Sequence, residues 1–343
     1  MKVTKSKIQA ISAAAQPEPE RDRWGRPLVV PPHGGKKVAY TRATTFVGAI
    51  EDTYKLGQWL QRHAIRGAVL HDDLIAAVRA ADANNKAELD RLAEEAKERS
   101  GAGDAARLGT YMHKLTEAAD LGRDPWEVPT PWLSTGEVDR ETVKADLEAY
   151  QEKTADMQAL MIEQFTVQDP LKIGGTPDRV VRYQGKRYIA DLKTGSIEWG
   201  ALKIAAQLAV YARSRPYDIA TDQRLDPHEA EVDKGLVIHL PAGAAECHLY
   251  WVDLLAGWEA VRLCRDVRAK RSSRFRDLFQ NVVPLPTVED PADELDLLIR
   301  STTSHDELTQ LWRGNAARWT GRHTETAKTH LAGLTHPSEG ARA

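Results

Sequence analysis

An α/β (α+β) fold, in which a mixed β-sheet is flanked by helices, is what the 343-residue sequence predicts. A helical section should precede the sheet and a small helical bundle should follow it. Three observations carry this reading. Between Ile173 and Lys193, two alternating runs rich in β-branched residues flank Gln184-Gly185, which marks a β-hairpin. A largely apolar helix, Trp199–Arg213, follows almost at once. Apolar residues at helical spacing dominate from Thr44 to Arg99 and return beyond Ala292.

Composition narrows the function classes. Charged residues make up 28% and the net charge is −3, so the chain as a whole carries no polyanion-binding signal. Any basic surface must be local. No apolar run approaches the length of a membrane span, and the opening MKVTKSKIQA lacks a signal-peptide core. A cytoplasmic protein without a membrane partner is expected. Cys247 and Cys264 are too few for a four-thiolate site and should be free and buried. The Gly34-Gly35-Lys36-Lys37 run lacks the spacing and terminal hydroxyl of a phosphate-binding loop.

Taken in order, residues 1–40 are polar and proline-marked and read as a flexible arm, with a short strand at Leu28–Val30. Residues 41–104 read as the helical section. Thr44 or Thr45 caps a helix carrying Phe46, Ile50, Leu56, Trp59 and Leu60, and further helices cover Leu70–Ala80 and Asn85–Arg99. The core spans 105–282. It opens on a helix, Ala105–Asp120, whose His113 and Glu117 share one face. A helix at Asp139–Met157 and a strand at Met161–Gln168 lead to the hairpin. Strands at Gly235–Leu240 and Glu246–Val252 complete the sheet, and a helix at Asp253–Lys270 runs into a basic cluster. Arg265, Arg268, Arg271 and Arg274, with Phe275 and Phe279 nearby, could track a phosphate backbone, although a helix C-terminus favours arginine in any case. A linker at 283–291 introduces a C-terminal bundle at 292–336, in which Ser304 to Glu307 is a capping box. The tail, 337–343, should be loose.

The hairpin carries the chemistry. If Gln184-Gly185 is a two-residue loop, Tyr183 faces Lys186, and the same register sets Asp178 opposite Asp191. Opposed carboxylates destabilise a sheet unless something positive lies between them. Lys193 lies two residues beyond Asp191 and projects from the same face. Two carboxylates beside an ammonium suit a hard divalent cation, Mg²⁺ or Mn²⁺, which binds through carboxylates, water and substrate phosphate. A surface hairpin with a cross-strand ion pair is the plain alternative. In the helix that follows, Lys203, Gln207 and Tyr211 stand four apart as one polar line, which on an otherwise apolar helix usually faces something.

Gly175-x-x-Asp178, Asp191-x-Lys193 with Thr-Gly after it, and Gln207-x-x-x-Tyr211 together resemble the RecB-like branch of the PD-(D/E)XK nucleases. That branch includes the RecB nuclease domain, the CRISPR-associated RecB-like exonucleases and many phage exonucleases. The resemblance covers roughly residues 105 to 270 and implies a restriction-endonuclease-like core. It implies that Gly109-x-x-x-His113 supplies a histidine at the metal site, with Asp178, Asp191 and the Leu192 backbone carbonyl as further ligands. It also implies that Glu163, on the preceding strand, can approach the metal, although a solvent-facing Glu163 is equally allowed. Lys193 would position or activate the water, Gln207 would orient the lysine or a phosphate oxygen, and Tyr211 would anchor the helix or contact the strand. Lys203 joins the DNA-facing set. Some relatives carry an iron–sulfur cluster held by four cysteines, and this chain has too few cysteines for one.

The function these readings imply is a Mg²⁺- or Mn²⁺-dependent DNA exonuclease of phage-type recombination, repair or replication, leaving 5′-phosphate ends. Its partners would be DNA and a single-strand annealing or replication protein. A structure-specific endonuclease or junction resolvase on the same core is one rival. A non-catalytic DNA-binding or assembly protein is the other. Strand polarity, single- or double-strand preference and oligomeric state do not follow from the residues.

Overall fold

The computed structural model describes residues 17–273, 278–279 and 291–335. Chain contacts divide the protein into two units, one ending at Ser273 and the other starting at Arg274.

The first unit begins with strands β1 (Leu28–Val29), β2 (Val38–Ala39) and β3 (Thr41–Arg42), then helix α1 (Ala43–Val47) and a short 3₁₀ turn. The single helix expected from Thr44 to Leu60 is in fact broken. Glu51 is extended, and Asp52 accepts the Tyr54 N–H at 2.9 Å, which starts α2 (Tyr54–Leu70) afresh. Helices α3 (Asp72–Ala80) and α4 (Lys86–Arg99) follow, α4 capped by Asn85 through the Glu88 N–H. Leu74, Leu92 and Ala96 bury a small apolar cluster among these helices. Next come α5 (Asp104–Asp120) and α6 (Arg140–Lys153), the latter capped by Asp139.

Five strands, a helix, four strands and a helix then follow: β4 (Gln158–Ile162), β5 (Thr166–Gln168), β6 (Ile173–Gly175), β7 (Arg179–Tyr183), β8 (Lys186–Lys193), α7 (Ala201–Ala212), β9 (Arg215–Asp218), β10 (Gln223–Arg224), β11 (Lys234–His239), β12 (His248–Asp253) and α8 (Leu254–Arg271). The fold is mixed α/β, as expected, but beside the β1–β2 pair the strands form two five-stranded sheets, ordered β12-β11-β8-β7-β4 and β10-β9-β5-β6-β3. Each is mixed through one parallel pair, β11 with β8 and β3 with β6. Two segments read as single strands are therefore each two. The 161–168 run breaks at Glu163, which adopts a left-handed φ of 49°, and the 173–183 run breaks at Thr176-Pro177-Asp178. In both places the chain passes from one sheet to the other.

The β7–β8 hairpin has the register expected: Tyr183 pairs with Lys186 and Arg179 with Ala190. Gln184 and Gly185 both have positive φ, as a two-residue turn matching the strand twist requires. Alternation along this hairpin divides two cores. Val180 and Ile189, with Val237 of β11, pack against α1, α7 and α8. Val181, Tyr188, Ala190 and Leu192 pack against Tyr111, Met112 and Leu115 of α5 and Val143, Leu147 and Tyr150 of α6. The larger sheet is thus a filling between two helical layers, and whatever projects from its strand ends lies between α5 and α7. Cys247 and Cys264 are free and buried.

In the second unit, helices Pro291–Ser301, His305–Gly314 and Gly321–Thr335 surround Leu295, Ile299 and Leu308. Ser304 caps the middle helix through the Glu307 N–H, while the Glu307 carboxylate accepts the N–H of Thr303. Arg274, Phe275, most of the 283–291 linker and the 337–343 tail lie outside the described residues. Among the described residues, no helix is long and apolar enough to cross a membrane.

Candidate active site

The ends of β7 and β8 meet the middle of α5 at one point. Two of the glycines in the sequence motifs owe their place to that meeting. A Cβ on Gly109 would lie 2.8 Å from Thr194 Oγ1, so the bare helix surface lets the chain leaving β8 press against α5. A Cβ on Gly175 would lie 2.9 Å from the Tyr211 hydroxyl, so glycine there makes room for the tyrosine of α7.

Asp178 sits just past the last pair of the β7–β8 ladder, and its Oδ2 accepts the Leu192 N–H at 2.7 Å. This bond holds the carboxylate across the strand end rather than in solvent. His113 Nδ1 lies 3.4 Å from the same oxygen. The left-handed turn at Glu163, whose N–H donates to the Asp178 carbonyl at 3.1 Å, brings a third group alongside. One ligand atom each from His113, Glu163 and Asp178 lies within 4.8 Å of the others. Asp191 is 3% exposed, and its Oδ2 has the Lys193 ammonium as its partner.

Electrostatics mark the spot. Desolvation, then the Asp178 charge, raise the Asp191 carboxyl well above the usual range despite the Lys193 ammonium. Glu163 is open to solvent over much of its surface, yet desolvation of its carboxyl, with Asp178 and Glu117 beside it, pushes it up to about 8. Desolvation pulls His113 down, a shift that Asp178 opposes, while its ring bonds the Leu192 carbonyl. A neutral imidazole is the form that ligates metals. Desolvation raises Tyr211 as well, with Asp191 and Asp178 adding to it and a hydrogen bond from Gln207 working the other way.

The donor set fits a hard divalent cation. Carboxylate oxygens, one imidazole nitrogen and a nearby backbone carbonyl are Mg²⁺ or Mn²⁺ ligands, and a cation would offset the crowding of negative charge. The cluster borders a cleft of about 720 Å³ lined by Gly109, Thr110, His113, Lys114, Glu117, Glu163, Thr194 and Gly195, together with Ala105 and Ala106.

Other expected residues lie elsewhere or are otherwise engaged. Lys203 is ion-paired with Glu51 at 2.7 Å. Arg265 pairs with its neighbour Asp266, and the Arg268 guanidinium lies over the Phe46 ring at 5.2 Å. Arg271 is exposed at the end of α8. None of these four lines the cleft.

Sequence reasoning missed Arg179. It is 2% exposed; Nε donates to Asp120 at 2.6 Å and its amino group to Thr116 Oγ1 at 2.8 Å, while Tyr150 donates to the same Asp120 carboxylate. Burial works against its charge, but Tyr150, Asp120 and Asp178 outweigh burial and hold its pKa above the ordinary value. Arg179 therefore bolts α5 and α6 to β7 directly beside Asp178. The available signal was Thr116 and Asp120, one turn apart on the sheet-facing side of α5.

Comparison with known families agrees with this geometry. Residues 51–214 match the model of the PD-(D/E)XK nuclease superfamily. That stretch is just under half of the chain and includes α5, the hairpin and α7. No curated protein matches the chain.

Proposed function

We propose that the protein is a metal-dependent DNA exonuclease that hydrolyses phosphodiester bonds, in the manner of the RecB-like phage exonucleases that its motifs resemble. The single observation that carries this is the convergence of His113, Glu163 and Asp178 near the Asp191–Lys193 pair, beside a cleft that His113 and Glu163 line. A folded protein gains nothing from crowding acids in this way, whereas a nuclease needs them.

His113, Asp178, Asp191 and the Leu192 carbonyl would hold one or two Mg²⁺ or Mn²⁺ ions, with Glu163 closing the set. When bound, the metal supplies Lewis-acid neutralisation of the scissile phosphate and lowers the pKa of water. Lys193, held by Asp191, orients the attacking water and offsets charge on the phosphate as it develops. Asp178 keeps its position through the Leu192 N–H. Tyr211 and Gln207 brace the site from the α7 side. Phosphate is left on the 5′ end.

The test is degradation of end-labelled linear DNA with Mg²⁺ or Mn²⁺, beside covalently closed circles, with Lys193→Ala as control. Loss of the linear substrate alone, abolished by chelation and by the variant, supports the exonuclease. Cutting of the circle replaces it with the endonuclease reading. Binding without cleavage replaces it with the assembly-protein reading.

A further inference from the structure

A second hollow adjoins the candidate active site on the far side of α5. It measures about 280 Å³ and is lined by Ala106, Arg107, Thr110, Tyr111, Lys114, Pro129 and Pro131. It shares Ala106, Thr110 and Lys114 with the catalytic cleft, so the two lie side by side along the exposed face of α5. Lys114 stands at their junction, exposed and with no ion-pair partner among the described residues. Trp132 stands beside Pro131 and is 66% exposed.

This tryptophan is held in place rather than left loose. The Arg107 guanidinium lies over its ring at 5.3 Å, and Arg107 is itself ion-paired with Asp104 and Glu98. Two and three residues on, the backbone N–H groups of Ser134 and Thr135 donate to the Asp104 carboxylate at 3.0 and 2.9 Å. An exposed π-face held next to Pro131 of the hollow, with the Lys114 ammonium elsewhere in its lining, offers the two kinds of contact that an unstacked nucleobase and its phosphate recognise. The hollow is near the lower end of ligand-pocket sizes and suits a single nucleotide rather than a base pair.

We propose that this hollow binds the substrate strand beside the scissile position, as single-stranded DNA, with Lys114 on a phosphate and Trp132 stacked on a base. The inference rests on the nuclease reading and adds to it a base-stacking subsite and a single-stranded path.

The experiment measures binding of a fluorescein-labelled oligothymidylate by anisotropy, with Mg²⁺ present and in a Lys193→Ala parent so that the strand persists. One abasic nucleotide is stepped along the strand. For the parent, affinity should dip when the abasic site occupies one position. Trp132→Ala should weaken binding of the intact strand roughly 5- to 100-fold and erase that dip, while Trp132→Phe keeps it. Lys114→Ala should reduce the slope of log affinity against log salt by about 0.7. An unchanged abasic profile in Trp132→Ala and an unchanged salt slope in Lys114→Ala overturn the subsite. If wild-type protein still degrades DNA in that case, the nuclease reading survives without it. If wild-type protein does not degrade DNA and the parent does not bind it, both fall together.

Discussion

Asp104 and Asp191 are both nearly buried, 9% and 3% exposed, yet they stand in opposite states. Asp104 takes hydrogen bonds from Ser134 and Thr135 through both backbone and side chain, and an ion pair from Arg107. Desolvation alone would raise its pKa, but these donors together hold it well below the usual carboxylate range. Asp191 has one ammonium as its partner and a second carboxylate nearby, and it is raised. A buried charge surrounded by donors serves the fold. A buried charge left short of donors beside other acids is held there by the rest of the structure, and it serves chemistry.

Substitutions should separate the two. Lys193→Ala is expected to lower the rate of DNA hydrolysis by about 10³-fold or more, while urea unfolding moves less than in Asp104→Ala, because the raised carboxyl of Asp191 takes up a proton once the ammonium is gone. Asp104→Ala should do the reverse. Leaving Arg107 and the Ser134 and Thr135 donors without their acceptor should cost roughly 3 kcal/mol in urea unfolding, with a far smaller loss of cleavage than Lys193→Ala. Comparable loss of stability in both variants would erase the distinction.

A pH series sharpens the same contrast. The folded pKa of Asp104 lies below its unfolded value of about 3.9, so its contribution is complete above about pH 4 to 5 and is lost as pH falls toward the folded value. Wild-type stability should decline between about pH 5 and pH 3, and Asp104→Asn, which cannot titrate, should flatten part of that decline. Parallel curves for the two proteins would remove Asp104 from the account.

The smallest effect should change sign. Alanine in a helix interior is about 1 kcal/mol more favourable than glycine. At Gly109 the new methyl would meet Thr194 Oγ1 at 2.8 Å, so Gly109→Ala should be neutral or destabilising in the wild type. In a Thr194→Ala background the same change should stabilise by about 1 kcal/mol, as thermal unfolding would show. If it stabilises equally in both, the close approach of α5 to the β8 exit is not what glycine provides there.

Much of the site could be read before the fold was known, because its centre is local. The Gln184-Gly185 turn sets the strand register, and the register alone sets Asp178 against Asp191 and puts Lys193 on the same face. Helix ends were legible where Asn85, Asp139, Asp253 and Ser304 cap them. The passages between sheets were not. Glu163 and Thr176-Pro177-Asp178 interrupt their runs, yet no local pattern says that the chain changes sheet there. The basic residues of α8 stand out by composition, and the structure adds only their neighbours, Asp266 for Arg265 and Phe46 for Arg268.

By itself, then, the sequence determined the hairpin, its opposed carboxylates and the amphipathic faces of the helices, since turn chemistry and alternation act over a few residues. Only the tertiary structure decided that His113 and Glu163 reach Asp178, that Arg179 is buried against Asp120, and that Lys203 faces Glu51. Those meetings join residues from 15 to 152 positions apart. They depend on how helices pack on the two faces of a sheet, which no short-range pattern encodes.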